Sequence, residues 1–357
     1  MDAIVHIGLS KTGTTSIQRY LFANETGLAA QGFAVARPGF HPDSFLELPV
    51  AVQVSSGGVT LNDWVKATNG FDTDSAQANM ANAAEKAIAT AAASPNCKTV
   101  ILSSEHLFPW MSSEEPNYIQ ALDDYLGKTF ESRRYICYIR EPMSWLLSLY
   151  SQSLRNGARR SLKQFMEMAK DWTTADQIMR WSSILGSDRF SVRVLDRSRL
   201  VGGDVVADFA QFAGFDLGAS PRAVTENQSL TLTGAYATLG LNRAQKSLFL
   251  ESSNLSGLRA QIDARAVDGP KLGLPPGDWS GPQAWAKIQR RKLRETFFPQ
   301  ETTLFPKGPR FVSAAQDAKA RDDAAEILAT LLLEHGAGRN FAVDTLKSLR
   351  RSKWRSS

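Results

Sequence analysis

The sequence predicts an α/β protein: a parallel sheet flanked by helices, with an integrated helical C-terminal part. Three observations carry that expectation. Short apolar runs that suit buried strands occur at residues 3–7, 99–102, 134–139 and 189–195. Between them lie segments with helical spacing, and strands that alternate with helices pair in parallel because each crossover carries a helix. With 357 residues and 43% hydrophobic content, the chain has enough apolar material for one large α/β domain or a core domain with a helical appendage.

The first strand leads through Gly8-Leu9-Ser10-Lys11-Thr12-Gly13 into a segment where Ile17, Tyr20 and Leu21 recur at helical spacing. The loop therefore lies at a helix N-terminus, where open backbone N–H groups and the helix dipole attract an anion. Gly8 and Gly13 have the spacing of the two glycines of a Walker A loop. That motif needs Lys-Ser/Thr directly after the second glycine, whereas here Thr14-Thr15-Ser16 follow and the lysine, Lys11, lies inside the loop. A plain connecting turn is the alternative for such a stretch.

Residues 37–70 are rich in Gly, Pro and polar side chains; they are expected to be too irregular for a core element and long enough to form one wall of a substrate cleft. Residues 75–93 are alanine-rich and predict a helix. The 99–102 strand runs out into Ser103-Ser104-Glu105-His106, and polar groups at the carboxyl end of a parallel strand face the site. A helix is predicted over 116–130, then the 134–139 strand ending at Arg140. Pro142 suits the first turn of the next helix, which carries Trp145, Leu146, Leu149 and Tyr150 on its apolar side. After the 189–195 strand, helices are expected at 204–212 and 231–250, a long Gly/Pro loop at 264–282, and amphipathic helices at 284–298 and 314–334. No internal repeat and no linker-like run precedes the tail, so residues 1–310 are expected to form one domain, a 1–235 core with a helical 236–310 part, followed by C-terminal helices and a tail at 311–357.

The formal charge is +5, and Lys347, Arg350, Arg351, Lys353 and Arg355 account for all of it, leaving the remainder neutral. A neutral body gives no basic face for nucleic acid, and none is expected as a partner. The basic tail could touch an anionic surface or simply be a solvated terminus. No run approaches the ~18–20 apolar residues of a membrane span and no basic start precedes an apolar signal core, so the expected location is the cytoplasm. Cys97 and Cys137 lie beside or within apolar runs and read as small core thiols; no Cys/His cluster has metal-ligand spacing.

Arg140 ends a strand and Ser148 follows eight residues later on the next helix, so a guanidinium and a hydroxyl could converge on one anion near the helix start. A salt-bridged strand end, with Glu141 as partner, is the alternative for Arg140; helix packing is the alternative for Ser148. His6, on the first strand, reads as a core or supporting histidine.

With both anchors in view, the chain resembles the sulfotransferases that use 3′-phosphoadenosine-5′-phosphosulfate (PAPS), most of all bacterial members acting on glycans or other hydroxyl-bearing acceptors. A Lys-x-Gly-Thr-Thr loop, matched by Lys11 to Thr15, and an Arg with a Ser eight residues on, matched by Arg140 and Ser148, carry the resemblance. It extends through Ser148 to Gln152, Trp181 and residues 190–200, covers about 1–235, and thins beyond. It implies a P-loop-type sheet, PAPS as sulfuryl donor, 3′-phosphoadenosine-5′-phosphate (PAP) as product and no metal. Thr12, Gly13, Thr14, Thr15 and Ser16 would hold the 5′-phosphate, and Lys11 would also meet the charge of the breaking bond. Arg140 and Ser148 would bind the 3′-phosphate, and Glu105 or His106 would accept the acceptor's proton, with Glu105 favoured by its Ser-Ser-Glu context. A late loop closing over the nucleotide would fall in 264–282 with Lys271, although no Arg-Lys-Gly motif occurs there. Two other readings compete: a kinase-like P-loop nucleotide enzyme, which would need a lysine after Gly13 and a strand-end Asp for magnesium, and a non-catalytic PAP-binding protein.

Overall fold

The computed structural model describes residues 1–37, 39–40, 45–57, 66, 70–108, 118–218, 229–248 and 252–335. The chain divides into two compact units: Met1–Arg140 with Thr173–Thr225 and Lys292–Phe305, and Glu141–Trp172 with Glu226–Arg291 and Pro306–Ser357.

The first unit holds the sheet. Its strands are β1 (Asp2–Ile7), β2 (Phe33–Val35), β3 (Thr99–Ser104), β4 (Ser132–Ile139) and β5 (Phe190–Val194). Among the described residues they form one parallel sheet in the order β2-β3-β1-β4-β5. Continuous apolar runs are required because both faces are covered. On one face Ile4, Ile101, Ile136 and Tyr138 pack against Ile17, Tyr20 and Leu21 of the Thr14–Ala23 helix and Phe209 and Ala213 of the Val205–Ala213 helix. Each such side chain contributes about 1.5–3 kcal/mol by leaving water. On the other face Tyr135 packs against Trp181 of the Thr174–Leu185 helix at 6.5 Å between rings, and its hydroxyl donates to Asp123 of the Tyr118–Gly127 helix at 2.7 Å. The expected fold class, a parallel α/β sheet flanked by helices, is what the chain adopts.

Asp123 is almost fully buried yet well satisfied. It accepts from Arg133 Nε at 2.8 Å, from the Tyr135 hydroxyl, and from Arg189 Nη1 at 3.0 Å. Burial raises its pKa, but these hydrogen bonds outweigh it and hold the carboxyl at about 2.

Residues 37–70 depart from expectation. Within them Glu47–Ser56 is a helix whose Glu47, Leu48, Pro49, Val50, Ala51 and Val52 are all buried, so the segment does supply a core element. Pro49 does not break it, because it stands in the first turn, where its missing N–H has no partner to lose. The rest of that stretch lies largely outside the described residues, as do His41 and the basic tail with Lys347, Arg350, Arg351, Lys353 and Arg355. The short edge strand β2 is a further addition. Cys137 is a buried thiol in β4 and Cys97 a half-buried one just before β3.

The described residues of the second unit are helical, with no strand among them. Glu141 begins it, accepting from the N–H groups of Met143 and Ser144 at the start of the Pro142–Arg155 helix and from Arg290 Nη2 at 2.8 Å. Trp172 stacks edge-on against Trp145 and accepts from Trp285 Nε1 at 2.9 Å. Asn242, buried in the Leu232–Leu248 helix, donates to the carbonyls of Leu154 and Ala158 and accepts from Arg259 of the Ser252–Arg265 helix. Tyr236 bonds Asp317 of the Ala314–Glu334 helix, and Arg321 lies 4.4 Å over its ring. The loop expected over 264–282 is shorter, bounded by helices ending at Arg265 and starting at Ser280. It is pinned by bridges between Lys271 and Thr231 and between Leu274 and Phe311. Among the described residues no helix is long and apolar enough to cross a membrane.

Candidate functional site

Register brings the sequence-predicted residues of the first unit to one edge. Ile7, the last residue of β1, pairs with Ser104 on one side and Cys137 on the other. The chain therefore leaves three adjacent strands at neighbouring points: β1 into the Gly8–Gly13 loop, β3 into Glu105 and His106, and β4, after Ile139, into Arg140. In an open parallel sheet this carboxyl edge is where ligands gather.

The loop after β1 is built by backbone demands. The Gly8 N–H donates to the Ser104 carbonyl at 2.9 Å. A Cβ at Gly8 would lie 2.6 Å from Glu105 Cα, so only glycine permits this approach. Lys11 takes a left-handed conformation at φ 66°, which costs a non-glycine residue about 1–2 kcal/mol. Gly13, at φ 91°, precedes the Thr14–Ala23 helix, and the Thr12 hydroxyl donates to the Leu9 carbonyl. Its N-cap residue, Gly13, makes no side-chain cap, and no acid occupies its first turn. The Thr14 hydroxyl is buried with no hydrogen-bond partner among the described residues. A buried polar atom without a partner is uncommon in folded proteins, and this one lies at the positive end of a helix. Thr15, Ser16 and Lys11 are half-buried beside it.

At the end of β3 the Ser104 hydroxyl accepts the His106 N–H at 3.2 Å, and the strand stops there. Glu105 and His106 stand in a turn, both half-buried. The pleat alternation of the strand does not extend to them, so it does not decide which of the two faces a ligand. Arg140 is half-buried at the end of β4. Glu141, its sequence-suggested partner, has its carboxylate engaged by Met143, Ser144 and Arg290 within the second unit. Ser148 also belongs to the second unit, where it is 5% exposed within the Pro142–Arg155 helix.

His6 is fully buried, its ring edge-on to Tyr138 and tilted against Phe209. Burial lowers its pKa to about 3, so it is neutral across the physiological range. Gln18 escaped the sequence reading: its amide donates to the Ser103 carbonyl at 3.3 Å from the buried stripe of the Thr14–Ala23 helix. A polar residue between Ile17 and Tyr20 on an otherwise apolar face was the available signal. A cavity of about 480 Å³ lies within the second unit, among Thr233, Arg265, Asp268, Lys319 and Glu326; its lining draws on the first residues of the 264–282 segment but not on Lys271.

No protein-family model matches the chain. A protein of Archaeoglobus fulgidus described as uncharacterized is 28% identical over 118 residues, a match that spans 33% of this chain and 32% of that protein. Among solved structures, the crystal structure of a sulfotransferase from Alicyclobacillus acidocaldarius aligns over 71% of this chain and 97% of its own, with 15% identity and a TM-score of 0.40. The sulfotransferase domain from the curacin biosynthetic pathway aligns over 64% of this chain and 81% of its own, with 12% identity and a TM-score of 0.35.

Proposed function

We propose that the protein is a sulfotransferase that moves a sulfuryl group from PAPS to an acceptor hydroxyl. The observation that supports this reading best is the sheet edge, where the Lys11 loop, the Glu105–His106 turn and Arg140 leave adjacent strands side by side. The residues present suit a phosphate-bearing donor: a helix N-terminus whose N-cap residue, Gly13, supplies no side-chain cap, and a Thr14 hydroxyl with no partner among the described residues.

The donor supplies a sulfuryl group joined to a phosphate oxygen, and that S–O bond breaks as the acceptor oxygen bonds to sulfur. The products are a sulfate ester, PAP and one proton. As in phosphoryl transfer, the protein's work is positioning and charge stabilisation. Backbone N–H groups and hydroxyls of Thr12 to Ser16 hold the 5′-phosphate. The Lys11 ammonium meets the charge developing on the departing oxygen, the part a divalent metal plays elsewhere, so transfer is metal-independent. Arg140, with Ser148 in the role that the sequence resemblance gives it, takes the 3′-phosphate. Glu105 accepts the acceptor's proton, with His106 the neighbouring alternative. The resemblance points to a carbohydrate hydroxyl as acceptor; the sequence pattern points to residues 1–310 as the catalytic domain and to the cytoplasm as its location.

The test is incubation with isotopically labelled PAPS and panels of glycan, lipid and small-molecule extracts, followed by mass spectrometry of the labelled product. Calorimetry should show PAP binding far more tightly than AMP or ATP. Equal affinity with and without the 3′-phosphate would reject the assignment, and turnover abolished by a chelator and restored by magnesium would favour a kinase-like enzyme.

A further inference from the structure

Three polar side chains are buried behind the sheet edge where apolar ones would pack: His6 on β1, Ser103 on β3 and Gln18 on the Thr14–Ala23 helix, at 0%, 4% and 2% exposure. They are joined. His6 and Ser103 are register partners, His6 Nδ1 lies 2.8 Å from Ser103 Oγ, and the Gln18 amide donates to the Ser103 carbonyl. Among the described residues His6 Nε2 stays buried without a partner, so the trio is not the lowest-cost filling for this space. Each member stands close in sequence to one part of the edge: His6 two residues before Gly8, Ser103 two before Glu105, and Gln18 in the helix that begins at Thr14.

We propose that His6, Ser103 and Gln18 act as a positioning brace that holds the Lys11 loop in register with the Glu105–His106 turn. The brace sets the rate of sulfuryl transfer, while donor affinity is set within the loop itself. The proposal rests on the sulfotransferase reading. None of the three touches the reacting atoms in this account. Their effect is geometric, and a misplacement of about 1 Å between reacting groups costs on the order of a hundredfold in rate.

The experiment compares the full-length wild type with Gln18→Met, Ser103→Ala, His6→Leu and His6→Asn, and with the Ser103→Ala/His6→Leu double variant. Three quantities are read: the thermal unfolding midpoint, PAP affinity by calorimetry, and turnover of labelled PAPS, with water as acceptor where no better one is in hand. Gln18→Met conserves volume and keeps the test open if His6→Leu fails to fold. Expected are about ten- to hundredfold losses of turnover in Gln18→Met and His6→Leu, with PAP affinity within about twofold of wild type. His6→Asn, which keeps a polar atom near the position of Nδ1, should recover most of the rate, and the double variant should be no slower than His6→Leu alone. Unchanged turnover in folded variants, a parallel loss of PAP affinity, or His6→Asn no better than His6→Leu would overturn the brace. A wild type that neither binds PAP nor consumes PAPS would instead overturn the sulfotransferase reading and the brace with it.

Discussion

At the edge where the strands begin, Asp123 receives Arg133, Tyr135 and Arg189, so that both carboxylate oxygens are hydrogen-bonded. At the edge where they end, the Thr14 hydroxyl and His6 Nε2 are buried without partners among the described residues, and the N-cap residue of a helix, Gly13, supplies no side-chain cap. The same sheet thus carries a closed polar cluster at one end and an incomplete one at the other. Satisfied buried networks rigidify a fold, while unsatisfied groups and left-handed backbone are tolerated where something else completes them. The closed cluster serves stability, and the proposed function reads the incomplete one as the place of the ligand.

The comparison breaks most readily at the proton acceptor. Glu105→Gln is expected to cut turnover by about a hundred- to ten-thousandfold with PAP binding nearly intact, while His106→Asn retains a measurable fraction. Steady-state kinetics beside calorimetry would check this; the reverse ranking transfers the role to His106, and near-normal rates in both remove this strand end from the chemistry.

Asp123→Asn should act on the opposite quantity. It leaves two guanidinium groups facing a neutral amide, and denaturant unfolding should show a loss of about 3–5 kcal/mol with PAP affinity of the folded protein unchanged. The two edges should also separate in pH. His6 is held neutral down to about 3 against an ordinary 6.5, so the unfolded chain binds its proton first and stability falls as pH drops below 6.5. Asp123 is held ionised down to about 2 against an ordinary 3.8, so its contribution is complete above 3.8 and is lost as pH falls toward 2. Unfolding measured at successive pH values should lose the upper window in His6→Asn and the lower one in Asp123→Asn.

Lys11→Ala is expected to lower turnover by about a hundred- to a thousandfold, the scale for one lost transition-state donor. Lys11→Gly sharpens the contrast, because it should lose the same activity while gaining up to about 1 kcal/mol of stability from a relaxed left-handed backbone. A thermal scan and a rate measurement on one preparation would show the two effects moving in opposite directions. Arg140→Ala should weaken PAP binding by about ten- to a hundredfold, or ~1.5–3 kcal/mol. Removing the 3′-phosphate from the ligand should cost the wild type as much and the variant little, so that a cycle of four calorimetric titrations reads the pairing directly.

The strands around the site were legible because a central parallel strand is buried on both faces and must be apolar without interruption. The three-residue β2 was too short to stand out in that way, and the Glu47–Ser56 helix was obscured by Pro49 and the polar residues around it. The Asp123 cluster was invisible: its partners are 10, 12 and 66 residues away, and nothing local links them. Within the site, Lys11 to Ser16 announced themselves through loop chemistry. Gln18 did not, since a polar residue on an apolar helix face is a faint signal until its carbonyl partner, 85 residues away, is known.

The sequence alone determined the parallel α/β class and singled out the loop after β1 and Lys11, Glu105, His106 and Arg140 as candidates, because periodicity, glycine placement and residue chemistry are local properties. Only the tertiary structure decided that the loop, the Glu105 turn and Arg140 leave adjacent strands, that Gly8 must lack a Cβ because Glu105 Cα is there, and that His6, Ser103 and Gln18 meet. The physical reason is register. The pairing of Ile7 with Ser104 and Cys137 joins positions about a hundred residues apart, and only the packed sheet specifies it.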